Sequence, residues 1–290
     1  MAAVLAIVIC ILSCWQPASA QSIDSVLVEE YSIGSFQNAT RIIAGAPDKL
    51  YVLDATTNTL SFFTSTQTSP KIIGGFGWSP SSFDRPTGVA TDGVNVYVSD
   101  YGNHRIQRFD RDLNYISSLY TRDTSDANSR FGYPLDIALS EFGDLFIIDG
   151  ENLRVIKFNS TGSFERSLGD MNSGEGKLSN PIKLVVTTSR IFVVERTRVA
   201  VFDYFGNYLG SIGKGVLSDI NGFTLLANGF LAVSSDTIFW LSREGVLQKS
   251  LPLGFVISGE SIGKIQDVVY IGNRLFILSP HRIHVFKMSN

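Results

Sequence analysis

Two carboxylates, Asp136 and Asp267, two cations, Arg41 and Lys183, and three histidines, His104, His281 and His284, are the side chains with which this chain could do chemistry. A pair of carboxylates at one site could ligate a divalent cation or move a proton, and three converging histidines could hold zinc. Other chemistries lack their residues. There is no Gly-x-Ser-x-Gly elbow, no phosphate loop and no dinucleotide fingerprint. The only two cysteines are Cys10 and Cys14, so a mature chain that has lost its first twenty residues can offer neither a Cys-His pair nor a disulfide. A net charge of -3 supplies no basic field, so nucleic acid is not an expected partner.

The N-terminus reads as an address. Ala2 to Cys14 is an apolar run, shorter than the roughly 20 residues that a membrane-spanning helix needs. Pro17 ends it, and Ala18, Ser19 and Ala20 provide the small residues of a signal-peptidase site. The expectation is a signal peptide over 1–20, an exported mature chain that begins at Gln21, and no transmembrane segment within it. The run Ile11 to Cys14 loosely matches a lipobox, which would instead anchor the chain through an acylated Cys14.

The elements that must position the charged residues come from repetition. Phe63, Phe109, Phe158, Phe202, Leu241 and Phe286 occupy one repeat position and are separated by 46, 49, 44, 39 and 45 residues. Within each copy, apolar residues alternate over short runs bounded by Gly, Asn, Asp or Pro, as in Asn95 to Ser99 and Ile106 to Phe109. That period of two specifies strands, four to a copy, and no stretch shows helical periodicity.

The clearest copy holds Pro86, Gly88, Val89 and Ala90, then Asp100, then Asn103, Arg105, Ile106 and Phe109. A second runs through Pro134, Asp149, Arg154 and Phe158. These residues resemble the NHL-repeat β-propeller family; the YWTD and lactonase-type propellers are related alternatives of the same shape. The expected fold is therefore all-β: a six-bladed propeller of four-stranded antiparallel blades, spanning 21–290 as one domain. The blades fall at about 37–84, 85–132, 133–179, 180–218, 219–261 and 262–290. The last copy ends after its third strand. Residues 26–34 read like the missing fourth strand, so an N-terminal strand closes the ring and removes an open edge.

The resemblance places ligands at the end of the central channel where the innermost strands begin and the blade-joining loops converge. Aligning those strands puts Arg41, Gly88, Asp136, Lys183, Gly222 and Asp267 on one ring. Asp136 then faces Asp267 and Arg41 faces Lys183, with Asp267 beside Arg41, Asp136 beside Lys183, and glycines leaving room on one side. This is either a polar mouth for a ligand or metal, or two ion pairs that close a narrow channel. Asp54, Asp100, Asp149 and Glu195 recur at the end of the second strand, which marks a turn that every blade makes. Arg105, Arg154, Arg198 and Arg282 share one repeat position and are expected against a neighbouring blade or solvent. The histidines read as surface or turn residues.

The loop from Gly74 to Phe83 concentrates Phe76, Trp78 and Phe83 at the ligand end. Trp78 is expected to be exposed, Phe83 and Phe131 tucked under the ring. The expected function is a rigid, monomeric binding platform for a protein, peptide or glycan, with Arg41, Trp78, Asp136, Lys183 and Asp267 as binding residues and no required cofactor. The alternative is a metal-dependent hydrolase, lactonase or lyase at the channel mouth, in which Asp136 and Asp267 would hold a divalent metal such as calcium.

Overall fold

A computed structural model describes residues 27–288 except 46–48, 65–68, 257 and 260. The expected signal peptide, with Cys10 and Cys14, lies outside the described residues. The strands form six four-stranded antiparallel sheets, arranged as a six-bladed propeller. Blade 2 shows the plan: its inner strand is Pro86–Thr91, followed outward by Asn95–Asp100, Arg105–Asp110 and Tyr115–Leu119. The other inner strands are Ala39–Ala44, Pro134–Leu139, Pro181–Val186, Gly222–Leu226 and Asp267–Ile271, for blades 1, 3, 4, 5 and 6. Among the described residues, helix is confined to the single 3-10 turns Gly174–Gly176 and Leu253–Phe255.

Alternation buries both faces of each blade, because each sheet packs against two neighbours. In blade 4, Ile191 and Val193 face blade 3, meeting Phe146, Ile148 and Leu178. Phe192 and Val194 point the opposite way and meet Phe223, Phe230 and Ala232 of blade 5. The core is thus a set of six seams between blades, each a separate apolar cluster.

The ring closes as expected. Glu29–Ile33 is the outer strand of the last blade, paired antiparallel with Ile283–Lys287 through Tyr31 with Val285, Ser32 with His284 and Ile33 with Ile283. Leu27, just before it, is buried in the seam between blades 5 and 6. Polar contacts lock the closure: Glu30 pairs with Arg274 at 2.8 Å, and Glu29 Oε1 lies 2.8 Å from His284 Nδ1. His284 is therefore neither a surface nor a turn residue. It is buried between the closing strand and the Ser279 hydroxyl.

Candidate binding site

Arg41, Asp136, Lys183 and Asp267 do converge in the channel, and all four are buried. Their pairing differs from the expected one. Arg41 Nη1 lies 3.8 Å from Asp267 Oδ2, as adjacency on the ring requires. Lys183, however, does not pair with Asp136 beside it; its ammonium donates to Asp267 Oδ1, two blades on. Arg41 reaches the other acid, placing Nε 3.9 Å from Asp136 Oδ1. The long cations thus cross the channel to the two acids, because the acids are held by backbone. Leu184 N donates to Asp136 Oδ2 at 2.8 Å and Ile42 N to Asp267 Oδ2 at 3.2 Å, each from the next blade's inner strand.

Both expected gaps in the ring are filled. A Cβ on Gly88 would stand 2.7 Å from Asp136 Cα, and one on Gly222 would stand 2.9 Å from Asp267 Cα. The glycines do not leave a ligand pocket; they make room for the neighbouring aspartates. Arg41 also donates to Thr87 O at 3.2 Å and Ile182 O at 2.8 Å, so it ties blade 1 to blades 2 and 4. Burial pushes the Asp136 carboxyl up to about 6, against the pull of Arg41 and the Leu184 N–H. Burial also lowers the Lys183 ammonium below its ordinary value, with Asp267 opposing.

The recurring carboxylates act as turn clamps. Asp54 accepts from the N–H groups of Gln37, Asn38, Thr56 and Thr57. Burial raises its pKa, but these four bonds hold it below the ordinary value. Asp100, Asp149 and Glu195 likewise accept from Asp84 N, Gly132 N and Ser179 N, joining each second strand to the chain entering its blade.

The arginine at the shared repeat position completes this clamp, and its expected contact with a neighbouring blade is made through the loop that arrives from that blade. Arg105 is buried and spends all five donors. Nε donates to Asp100 Oδ2 at 2.7 Å, Nη1 to Trp78 O at 2.9 Å and Tyr120 Oη at 2.8 Å, and Nη2 to Ser79 O at 3.1 Å and Ser82 O at 2.9 Å. Arg154 and Arg198 repeat the theme with Asp149 and Glu195, and with carbonyls of their own incoming loops. The signal for this was in the sequence, since acid and arginine recur together.

The 74–83 loop is thereby fixed to the rim. Asn103 donates to Gly77 O, Gln107 donates to Ser82 O and accepts from Ser81 N, and Gly77 and Phe83 bond each other's strand. Phe83 and Phe131 are buried, as expected. Trp78 is 75% exposed and Phe76 is 72% exposed, so a pinned backbone presents two aromatic rings to solvent.

Between blades 2 and 3 the same face carries a continuous stack that sequence reasoning missed. Arg85 lies 4.9 Å from the Tyr101 ring, Tyr101 lies 5.1 Å from Tyr133, and Arg122 lies 5.7 Å from Tyr133. His104 belongs here, accepting from Tyr133 N at 3.1 Å. The three histidines therefore do not converge. Among the described residues no group of three or more His, Cys, Asp or Glu is placed to hold a metal ion.

The sequence profile of the NHL repeat matches residues 83–109, which run from Phe83 through the Asp100 and Arg105 clamp to Phe109. The chain is a six-bladed β-propeller that carries an NHL repeat. It is 32% identical over 147 residues to protein brain tumor of Drosophila melanogaster, a match that spans 49% of this chain and 14% of that protein. Solved structures carry the same ring. Selenomethionine-substituted virginiamycin B lyase from Staphylococcus aureus superposes with a TM-score of 0.60 at 12% identity, covering 89% of the NHL-repeat chain and 99% of the lyase. The WD40 propeller domain of Doa1 gives a TM-score of 0.58 at 11% identity, covering 90% and 97% of the two chains. These likenesses concern the fold.

Proposed function

We propose that this NHL-repeat propeller is an exported, rigid binding platform whose partner is a protein, engaged through the face on which the blade-joining loops converge. The observation that carries the reading is the 74–83 loop: two large exposed aromatics on a backbone immobilised by a buried guanidinium. Trp, Tyr and Arg dominate protein interface hot spots, and a pre-ordered anchor spares the ordering cost of binding. The Arg85, Tyr101, Tyr133 and Arg122 stack extends the same chemistry along the rim. Export rests on the apolar run and small-residue site before Gln21. Among the described residues, no helix is long and apolar enough to cross a membrane.

The hydrolase or lyase reading requires channel carboxylates with oxygens turned to a ligand. Both oxygens of Asp136 and of Asp267 already face cations or backbone N–H groups, which favours the platform. Capture of binding partners from the protein's native compartment, compared between wild type and the F76A/W78A variant, tests it. A partner retained by wild type and lost by a variant of unchanged melting temperature is the expected result. Partners held equally by both, or a stoichiometric divalent metal removed by Asp136→Ala, would overturn the reading. Mass measurement of the secreted chain tests export, with Gln21 the expected first residue.

A further inference from the structure

At two of the seams between blades, long polar side chains cross the outer end. The register row Phe146, Lys157, Arg166 of blade 3 corresponds to Phe192, Val201, Gly210 of blade 4. At the seam between blades 3 and 4, Lys157 is buried, pairs with Asp144 at 2.8 Å and lies 4.4 Å from the Tyr204 ring. Tyr204 Oη donates to Asp144 Oδ2, and Arg166 crosses to Phe205 O. At the seam between blades 1 and 2, Lys71 crosses likewise to Asp112 O.

At the seam between blades 4 and 5 the filler is gone and the charge is reversed. Val201 stands where blade 3 has Lys157, Gly210 where it has Arg166, and Arg190 where it has Asp144; across the seam, Arg243 stands where blade 4 has Tyr204. The result is a cleft of about 960 Å³. Its apolar lining includes Phe192, Val201, Ile212 and Phe230, and Leu209 is 55% exposed at its edge. Two guanidiniums and one carboxylate, Arg190, Arg243 and Glu244, line it as well. Arg243 donates to Ala227 O and Asn228 Oδ1. The Arg190 guanidinium is exposed and meets no acceptor among the described residues.

We infer that the cleft between blades 4 and 5 is a binding site for an amphipathic carboxylic acid, its apolar body lying along Val201, Phe192 and Phe230 and its carboxylate meeting Arg190 and Arg243. A cleft of this size that sets placed polar groups beside an apolar wall has the form of a small-molecule site, and a guanidinium fork matches a carboxylate in both charge and geometry. At the neighbouring seam the Asp144 carboxylate pairs with the Lys157 ammonium; here, with Arg190 in the place of Asp144, the acid takes the place of that ammonium. The site is separate from the loop face and does not depend on the partner proposed for it.

Decanoate is the probe, with decanol and decyltrimethylammonium as neutral and cationic controls, titrated into the purified protein by calorimetry and by amide chemical shifts. The expected result is saturable 1:1 binding of decanoate, shifts at Gly210, Ser211 and Glu244, and affinity at least about tenfold weaker for both controls. Arg190→Gln, at an exposed position, should weaken decanoate about tenfold, in line with the worth of a charged hydrogen bond. Val201→Phe, which fills the cleft, should abolish binding while circular dichroism confirms the fold. Equal affinity for the three probes, shifts confined to another part of the molecule, no saturable binding, or an unchanged affinity in Arg190→Gln would each overturn the proposal.

Discussion

Replacing Arg105 by lysine asks whether a planar fork, and not merely a positive charge, builds the loop face. Lysine can keep the charge near Asp100 but has no second arm, so of the five hydrogen bonds that Arg105 makes, the four to Trp78 O, Tyr120 Oη, Ser79 O and Ser82 O are lost. Each such bond is worth about 0.5–1.5 kcal/mol net, and the loop carbonyls recover part of this by turning to water. The expected loss is about 2–4 kcal/mol, or a melting temperature lower by roughly 4–16 °C at about 2–4 °C per kcal/mol for a chain of this size. Arg154→Lys is the internal control. Arg154 holds the equivalent position with bonds to Asp149 Oδ2 and Arg130 O, so its replacement should cost only about 1 kcal/mol. Urea denaturation gives the two stabilities, and hydrogen exchange at the Gly77 and Phe83 amides reports the loop itself. Equal losses for the two variants, or Arg105→Lys within about 0.5 kcal/mol of wild type, would refute the fork argument.

Other consequences can be measured independently. Because the folded Asp136 carboxyl sits at about 6, above its ordinary 3.8, its contribution is fully present below pH 3.8 and is lost as pH rises through 6. A shift of this size is worth about 3 kcal/mol, so Asp136→Asn should flatten the stability difference between pH 4 and pH 7 relative to wild type in urea titrations. Gly88→Ala and Gly222→Ala should each cost about 1–3 kcal/mol by overpacking against Asp136 and Asp267, whereas alanine at open Gly254 should cost far less, read as urea midpoints. Removing residues 27–34 should expose the Ile283–Lys287 edge and eliminate the Glu29 and Glu30 contacts; a lower urea m-value and loss of a single cooperative transition would register it.

The six-fold repeat was legible because its cause is local. An alternating strand, a turn carboxylate and a partnering arginine are specified within each copy, and the closing strand betrayed itself by reading like Tyr115 to Tyr120. Burial of Phe83 and exposure of Trp78 followed from the same logic, since one residue precedes an inner strand and the other sits at a loop tip. What sequence spacing did not fix was direction across the channel. Ring order placed Asp136 beside Lys183, but a lysine side chain reaches across a narrow bore, and the acid it finds is decided by which carboxylates the backbone has already oriented. The Arg85 to Arg122 stack was hidden for a similar reason. Its members come from three separate loops and meet only once blades 2 and 3 are side by side.

The channel charges carry a further regularity. Around the ring they read cation, glycine, aspartate, then cation, glycine, aspartate: Arg41, Gly88, Asp136, then Lys183, Gly222, Asp267. The geometry repeats with the residue types. Each aspartate crowds the glycine before it and accepts an N–H from the strand after it, Leu184 in one half and Ile42 in the other. Three blades, not one, are therefore the unit of this arrangement, and the two halves are joined by Arg41, which reaches Asp267 and Ile182 O of the other half. A buried network of this kind is costly to desolvate and strongly destabilising to break from one side, so it acts as a bolt through the hub. A bolted hub gives the propeller no bore to work with at that end. On the readings proposed here, recognition uses the rim, where the pinned aromatic loop stands, and the seam where blades 4 and 5 have lost their filler.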